Sequence, residues 1–596
     1  MARSNVTRDC CHRAARRMRF SFVALPLLLT LSLLVGCALP WQRSTRTLKP
    51  PQVVHMALVG TGASVLPSID PAFAVPLGFD SPGSDVTSLI FDQLITLDAH
   101  LRPKNWATDK VTISADGLTY TFTLRSGQSF SDGTPVHASD YAYAMDRLLN
   151  PCLQAPGSYL LWMLKDAQTY STEDCSTGVI KLNSGQTGPL ITTLIGDAIV
   201  PDDGAGTLTL RLTRPAAYFL STLATGGSFA IERSVVTGAI LGRDSKWIAN
   251  LALGTTGRGG GGMFYVAHLD QAAGTMVLKA NPHWWGASQG EKPSLEEVDL
   301  WVIPSTALLS TSPGAPFDYV EYAAGTGPSG KIPAGLEPHT QPALSTQLVM
   351  LNWQVPPFDH LDARRAFCLA INRDALAKDQ FGGALIPGWN LVPQGIPGYS
   401  PLVWGIDGMS ATAGDQALAR SYWAAYVASL HGKPIPPLTI PYNYINQDIA
   451  GALAQQWNAA LPGANVQAQP PPDTVLTENM AKHFQMYTFD WIADYPDPQD
   501  FLSLLYATSS SFNDQNASVP QADQWMAQAD ALVAPDQQAQ RDLLYAQAEE
   551  LLIQQAAACP LGQFQTTYLL SPKVQHFGQT AMGTVPLDDF VNAYVL

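Results

Sequence analysis

Residues 116–140 read DGLTYTFTLRSGQSFSDGTPVHASD. Thr119 to Leu124 alternates polar and apolar side chains, which places Tyr120, Phe122 and Leu124 on one face of a strand. Ser126-Gly127 turns the chain, and Ser131-Asp132-Gly133-Thr134-Pro135 turns it again. Ser139 is then an N-cap, with Asp140 in the first turn of a helix that Asn150-Pro151 ends. A half-buried strand followed closely by a capped helix is the mark of a mixed α/β chain.

Working outward, Leu208 to Leu212 (LTLRL), Thr275 to Leu278 (TMVL), Val298 to Ile303 (VDLWVI) and Gln565 to Leu570 (QTTYLL) are also strand-like. Asp362 to Ile371 sets Ala363, Phe367 and Ala370 on one helical face, and Asn372 with Asp374 starts a second helix. Asp536 to Gln555 is the clearest amphipathic helix, with Leu544, Ala548, Leu551 and Leu552 on its buried stripe. Strands early, in the middle and near the end predict a lobe assembled from separated pieces of chain, joined to its neighbour by more than one crossing. Residues 152–206 are rich in Gly, Ser and Thr, read as an irregular insertion and carry no recognisable motif.

With 596 residues the chain exceeds what one hydrophobic core serves, so two to four lobes are expected. Its net charge is −15; the first 36 residues contribute +5, from six Arg against Asp9, so the remainder carries −20. So acidic a surface argues against a nucleic-acid partner. The basic start is followed by an apolar run, Phe20 to Gly36, and then Cys37, the pattern of a secretory signal. Leu34-Val35-Gly36-Cys37 resembles the lipobox of bacterial lipoproteins, which makes Cys37 the expected acylated N-terminus and residues 37–50 a tether. Of the remaining cysteines, Cys152 and Cys175 could close a local disulfide in an exported protein, while Cys368, within an apolar helical pattern, reads as a buried thiol.

Three phosphate or nucleophile motifs match wholly or mostly by letter and are rejected. Gly257 to Gly262 (GRGGGG) precedes a strand-forming run where a dinucleotide site needs a helix. Gly325 to Lys331 (GTGPSGK) is followed by Ile332 and Pro333 where a Ser or Thr must reach magnesium. Ser288, in Gly286 to Gly290 (GASQG), lies in a loop reading and not between a strand and a helix. No His pair has the spacing of a zinc hydrolase, so no metal and no cofactor are expected.

Asp490 to Leu502 (DWIADYPDPQDFL) mixes four carboxylates with aromatic side chains. Asp497, Pro498 and Asp500 spell a helix start: N-cap, Pro at the first position, acid at the third. Asp490 sits on a strand-like run, opposite the face of Phe489 and Trp491. Asp494 has no local role, and a carboxylate shielded by Trp491 and Tyr495 is costly unless paired.

As an ordered set these segments resemble the peptide and nickel class of extracellular solute-binding proteins that serve ABC importers. The segments are Ile69-Asp70-Pro71, Phe91-Asp92-Gln93-Leu94, Asp116 to Arg125, Phe130 to Asp140, Asn281 to Gly286 (NPHWWG), Pro356 to Asp374 (PPFDHLDARRAFCLAINRD) and DWIADYPDPQDFL. The resemblance implies a two-lobed, periplasmic-binding-protein-like α/β fold with a hinge and an extra domain inserted in the first lobe. Carried over, the signal peptide takes 1–36, the first lobe 51–95 with 206–300 and 561–596, the extra domain 96–205, and the second lobe 301–560. It implies no catalysis: a monomeric, lipid-anchored receptor on the outer face of the cytoplasmic membrane captures a peptide and passes it to a permease driven by ATPases. Asp494 would meet the ligand's α-ammonium group, with Trp491, Tyr495 and Asp490 beside it. Asp490 departs from the small residue usual at its position. Competing readings are the same fold holding an oligosaccharide, a nickel chelate or a signalling peptide and, in a different class, a secreted hydrolase built on Ser288.

Overall fold

The computed structural model describes residues 51–59, 68–74, 84–173, 175, 180–181, 187–188, 193–238, 245–304, 309, 316–322, 325–328, 331–442, 447–470 and 484–596. The signal segment, Cys37, the tether and Ser329-Gly330 lie outside them.

Val53–Val59 (VVHMALV) pairs in parallel with Glu297–Ile303 on one side and Tyr319–Tyr322 on the other. A strand flanked on both edges and covered on both faces must be apolar nearly throughout, and its last four residues are all buried. Thr275–Ala280 and Phe264–Asp270 extend the sheet on the far side of Glu297–Ile303. Around it Met56, Leu58, Phe91, Trp247, Leu300 and Phe590 form the first lobe's core. The second lobe is organised on Ser345–Leu351, buried along its whole length between Met486–Ile492 and Ala558–Leu570. Phe367, Trp423, Trp457 and Leu552 close its core.

Two antiparallel strands join the lobes. Glu337–Pro342 leaves the first lobe in register with the far half of Ala558–Leu570, from Glu337 opposite Leu570 to Pro342 opposite Gln565. The near half of that long strand pairs with Ser345–Leu351, and its end pairs with Tyr319–Tyr322. It therefore belongs to both lobes. Gly562 marks the transition: its φ is +154°, and a Cβ there would lie 2.2 Å from the carbonyl oxygen of Ile386.

Thr108–Ile113, Thr119–Leu124, Thr207–Arg211 and Ile199–Asp202 make a separate antiparallel sheet, in that order, over a core that includes Tyr120, Phe122 and Tyr141. Because Thr207–Arg211 pairs with Thr119–Leu124, the inserted sheet runs past the boundary expected at residue 205. Tyr319–Tyr322 likewise belongs to the first lobe's sheet, although 301–560 was assigned to the second. The helix after the inserted strand is Ala138–Leu149, capped at His137 and starting two residues earlier than a Ser139 cap requires. Asp140 accepts the His137 N–H at 2.8 Å, and Ser139 instead ties the helix to Asp203 through its N–H and hydroxyl.

The motif acids are structural anchors. Asp70 receives both terminal nitrogens of buried Arg147 at 2.7 Å and the Trp247 indole at 2.9 Å, and Asp92 receives the Trp106 indole at 3.0 Å. Gly260 and Gly262 let the backbone pass against Ile90 and Leu89, since a Cβ on either would stand 2.3 Å from a carbonyl oxygen. Ser288 ends a helical turn, Trp285–Ser288, where a loop was expected, and its hydroxyl is committed to the Trp285 carbonyl at 2.6 Å.

Cys152 is bonded to Cys175. Cys368 is not a thiol: it is buried, but joined to Cys559, which pins the helix Leu361–Leu369 to the base of the long shared strand. The pairing spans 191 positions, too far for local pattern to reveal.

Candidate functional site

Met486–Ile492 is an edge strand, hydrogen-bonded to Ser345–Leu351. The chain leaves it through Ala493 and Asp494, and Asp497 then caps the short helix Pro498–Phe501 by accepting the Gln499 N–H at 2.9 Å. The same Asp497 oxygen receives Arg541 at 2.6 Å, a pair with both partners buried. Asp500 does more than occupy a first helical turn. It is fully buried, and one oxygen accepts both the Trp491 indole N–H at 3.1 Å and the Asp494 backbone N–H at 3.0 Å. Its burial, with the Asp494 charge next to it, holds its pKa well above the carboxylate range.

Asp494 is 3% exposed. Its carboxylate accepts the hydroxyl of Tyr159, its only side-chain partner among the described residues. Tyr159 comes from the helical turn Pro156–Leu161 of the inserted segment, 335 positions away. Burial pushes the Asp494 carboxyl up to about 7, and the Tyr159 hydrogen bond opposes that shift. A buried acid held only by a neutral hydroxyl is under-compensated and would gain from a cation.

Aromatic rings surround this contact. Tyr159 packs on Phe512 at 5.2 Å between centroids, Trp491 meets Phe512 edge-on at 6.2 Å, and Phe489 stacks on Trp491 at 5.9 Å. Tyr495 points the other way. Its ring enters the inserted segment's core and stacks on Tyr218 at 5.9 Å, and its hydroxyl donates to Gln499. Asp490, paired with Gln347 across the strand, is partly exposed, and burial raises its pKa to about 6.

A cavity of about 770 Å3 opens between the inserted segment and the second lobe. Tyr159, Trp162, Arg214, Tyr218, Tyr495 and Phe512 are among its walls. Asp494, bonded to the Tyr159 hydroxyl, does not itself line the cavity, and neither does Asp490. The structure thus brings Trp491 and Asp494 together through Asp500, sets Tyr495 in the adjoining wall and leaves Asp490 apart. Sequence reading missed Tyr159, which lies in the stretch where no motif could be recognised, and Arg214, which follows the strand-like Leu208 to Leu212. Among the described residues no three His, Cys, Asp or Glu side chains gather as a metal site.

Residues 102–513 match the model of bacterial extracellular solute-binding proteins, family 5 (middle region). The oligopeptide-binding protein OppA of Bacillus subtilis (strain 168) is 23% identical over 529 residues, 87% of this chain and 89% of the relative. The periplasmic murein peptide-binding protein MppA of Escherichia coli (strain K12) is 26% identical over 521 residues, 85% and 87% of the two chains. The solved MppA in its unliganded open form superposes with a TM-score of 0.68 at 22% identity, covering 91% of this chain and 97% of that one. Haemophilus influenzae OppA in complex with the peptide RPPGFSPFR gives 0.62 at 20%, covering 92% and 99%.

Proposed function

Because the chain belongs to the bacterial extracellular solute-binding proteins of family 5, a family of binding proteins and not enzymes, we propose that it captures peptides between its lobes as the receptor of an ABC importer. The observation that carries this reading is the buried Asp494 carboxylate, held across the two lobes by the Tyr159 hydroxyl alone. A peptide's α-ammonium replaces that hydroxyl and pairs the carboxylate with a full positive charge. The exchange is worth ~1.5–3 kcal/mol, one to two decades of affinity. Trp491, fixed through Asp500, stands beside the position, and the edge strand Met486–Ile492 offers the backbone pairing that binds a peptide irrespective of its sequence. Asp490, on the same strand, faces a later part of the ligand.

The loaded receptor delivers its peptide to a membrane permease while held as a monomer by a lipid on Cys37. Calorimetry with a free tripeptide and its N-acetylated form tests the anchor: the free form should bind ten- to a hundred-fold more tightly, and equal binding would remove Asp494 from the role. Loss of membrane retention in Cys37→Ser checks the lipid, and unchanged retention would exclude it.

A further inference from the structure

The cavity beside Asp494 has a volume within the ~300–1,000 Å3 range of small-molecule sites. Its lining holds three carboxylates and one cation, Arg214. The acids are already engaged. Asp530 is buried and accepts Ser503 at 3.2 Å and the Tyr545 hydroxyl. Asp523 accepts the Thr508 N–H at 3.0 Å and its hydroxyl at 2.7 Å. Asp166 lies 3.8 Å from Lys165. Arg214 differs from them: it is exposed, hydrogen-bonds the Tyr218 hydroxyl and feels the Asp530 charge, but forms no ion pair with a carboxylate among the described residues. A second donor in the wall, the Trp162 indole nitrogen, is buried without a hydrogen-bond partner among the described residues.

The placement of Arg214 relative to Asp494 is fixed by packing. Tyr495 follows Asp494 in the chain and stacks on Tyr218, against which Arg214 lies. Three residues after Arg214, the Ala217 N–H donates to the Asp530 carbonyl at 2.8 Å, tying this corner to the second lobe. The Tyr159 ring is both a cavity wall and the hydroxyl donor to Asp494. A ligand amine that displaces that hydroxyl therefore arrives at the cavity's edge, with its first residues next to the only cation in the lining.

We propose that this cavity takes an acidic side chain from one of the first two residues of the peptide, and that Arg214 is its partner. The inference rests on the amine-anchoring reading and adds a side-chain preference to it. An arginine suits the role because its planar fork meets a carboxylate with two parallel hydrogen bonds, which a lysine cannot do. Ser509 and Ser511, exposed in the same lining, supply further donors.

The test is calorimetry with two pairs of tripeptides, Glu-Ala-Ala against Gln-Ala-Ala and Ala-Glu-Ala against Ala-Gln-Ala. In the parent protein the acidic member of at least one pair should bind about ten- to a hundred-fold more tightly. Arg214→Gln should erase that preference while leaving the amide peptides unchanged, and Arg214→Lys should restore part of it. Equal affinities within both pairs in the parent, or a preference that survives Arg214→Gln, overturns the inference and leaves the amine anchor standing. Failure of all four peptides to bind, or equal binding of their N-acetylated forms, removes the anchor and the inference together.

Discussion

Four acids in one short stretch, Asp490, Asp494, Asp497 and Asp500, have four different fates because each meets a different partner. Asp497 was readable as a cap because capping is local and Pro498 follows it. Asp500 was read as a helix-start acid, yet its partners are the Trp491 indole and the Asp494 N–H, contacts set by the way the chain folds back. Asp494 could be singled out only by lacking a local role, and Tyr159, the partner that defines it, is distant in sequence. The consequence is a pH dependence. With its carboxyl raised to about 7 in the unliganded protein, Asp494 must lose a proton to receive an ammonium group. Affinity for a free-amine peptide should fall as pH drops below about 7, approaching tenfold per unit, and should fall again above ~8 as the peptide's own amine deprotonates. Binding at pH 6 should release protons, seen as a calorimetric enthalpy that varies with the buffer. Asp494→Asn should bind more weakly at pH 7.5 and lose the acid limb of the profile. A parent profile flat from pH 5.5 to 7.5 would contradict the assignment.

Helices show where hydrophobic pattern stops being sufficient. In Leu361–Leu369 the expected face is correct, with Ala363 and Phe367 fully buried. In Gln538–Gln554 Ala548 and Leu552 are buried as expected, but Leu544 and Leu551 are only partly covered, and Arg541, Tyr545, Glu549 and Ile553 complete the buried face. Two charged residues occupy core positions because each finds a buried partner: Arg541 pairs with Asp497, and Glu549 accepts the backbone N–H groups of Leu391 and Val392 at 2.7 and 2.9 Å. Periodicity treats charge as a surface signal and cannot see such partners. Removing one of them leaves the other stranded. Asp497→Ala takes away a cap and isolates a buried guanidinium, so unfolding in urea should show a loss of about 3–5 kcal/mol. Leu543→Ala, on the same helix but exposed, should stay within ~0.5 kcal/mol of the parent. Comparable losses in the two variants would mean that Arg541 is solvated after all.

At the scale of the whole molecule, separated strands foretold a lobe made from distant pieces of chain and more than one crossing, and Glu337–Pro342 with Ala558–Leu570 are the crossings. What strand pattern cannot convey is how firmly the lobes hold each other without ligand. Among the described residues, contacts that bridge the inserted segment's side of the molecule and the second lobe include the Tyr159–Asp494 hydrogen bond, the packing of Tyr159 on Phe512, the Tyr218–Tyr495 stack, and the Ala217 N–H to the Asp530 carbonyl. A hinge moves only as far as differential interaction with its two states allows. Each bridging contact therefore favours the arrangement seen here, and on the proposed reading a peptide replaces the first with something stronger. Tyr159→Phe removes that contact and preserves the ring's packing on Phe512. A hydrogen bond of ~1 kcal/mol corresponds to about a fivefold change in the ratio of closed to open molecules. Distance distributions between a label on the inserted segment and one on the second lobe should shift toward separation in the unliganded variant. Saturating peptide should bring parent and variant to the same distance, since the ammonium takes over the carboxylate in both. An unliganded variant indistinguishable from the parent would show that the hydroxyl merely fills the site and does not help hold the lobes together.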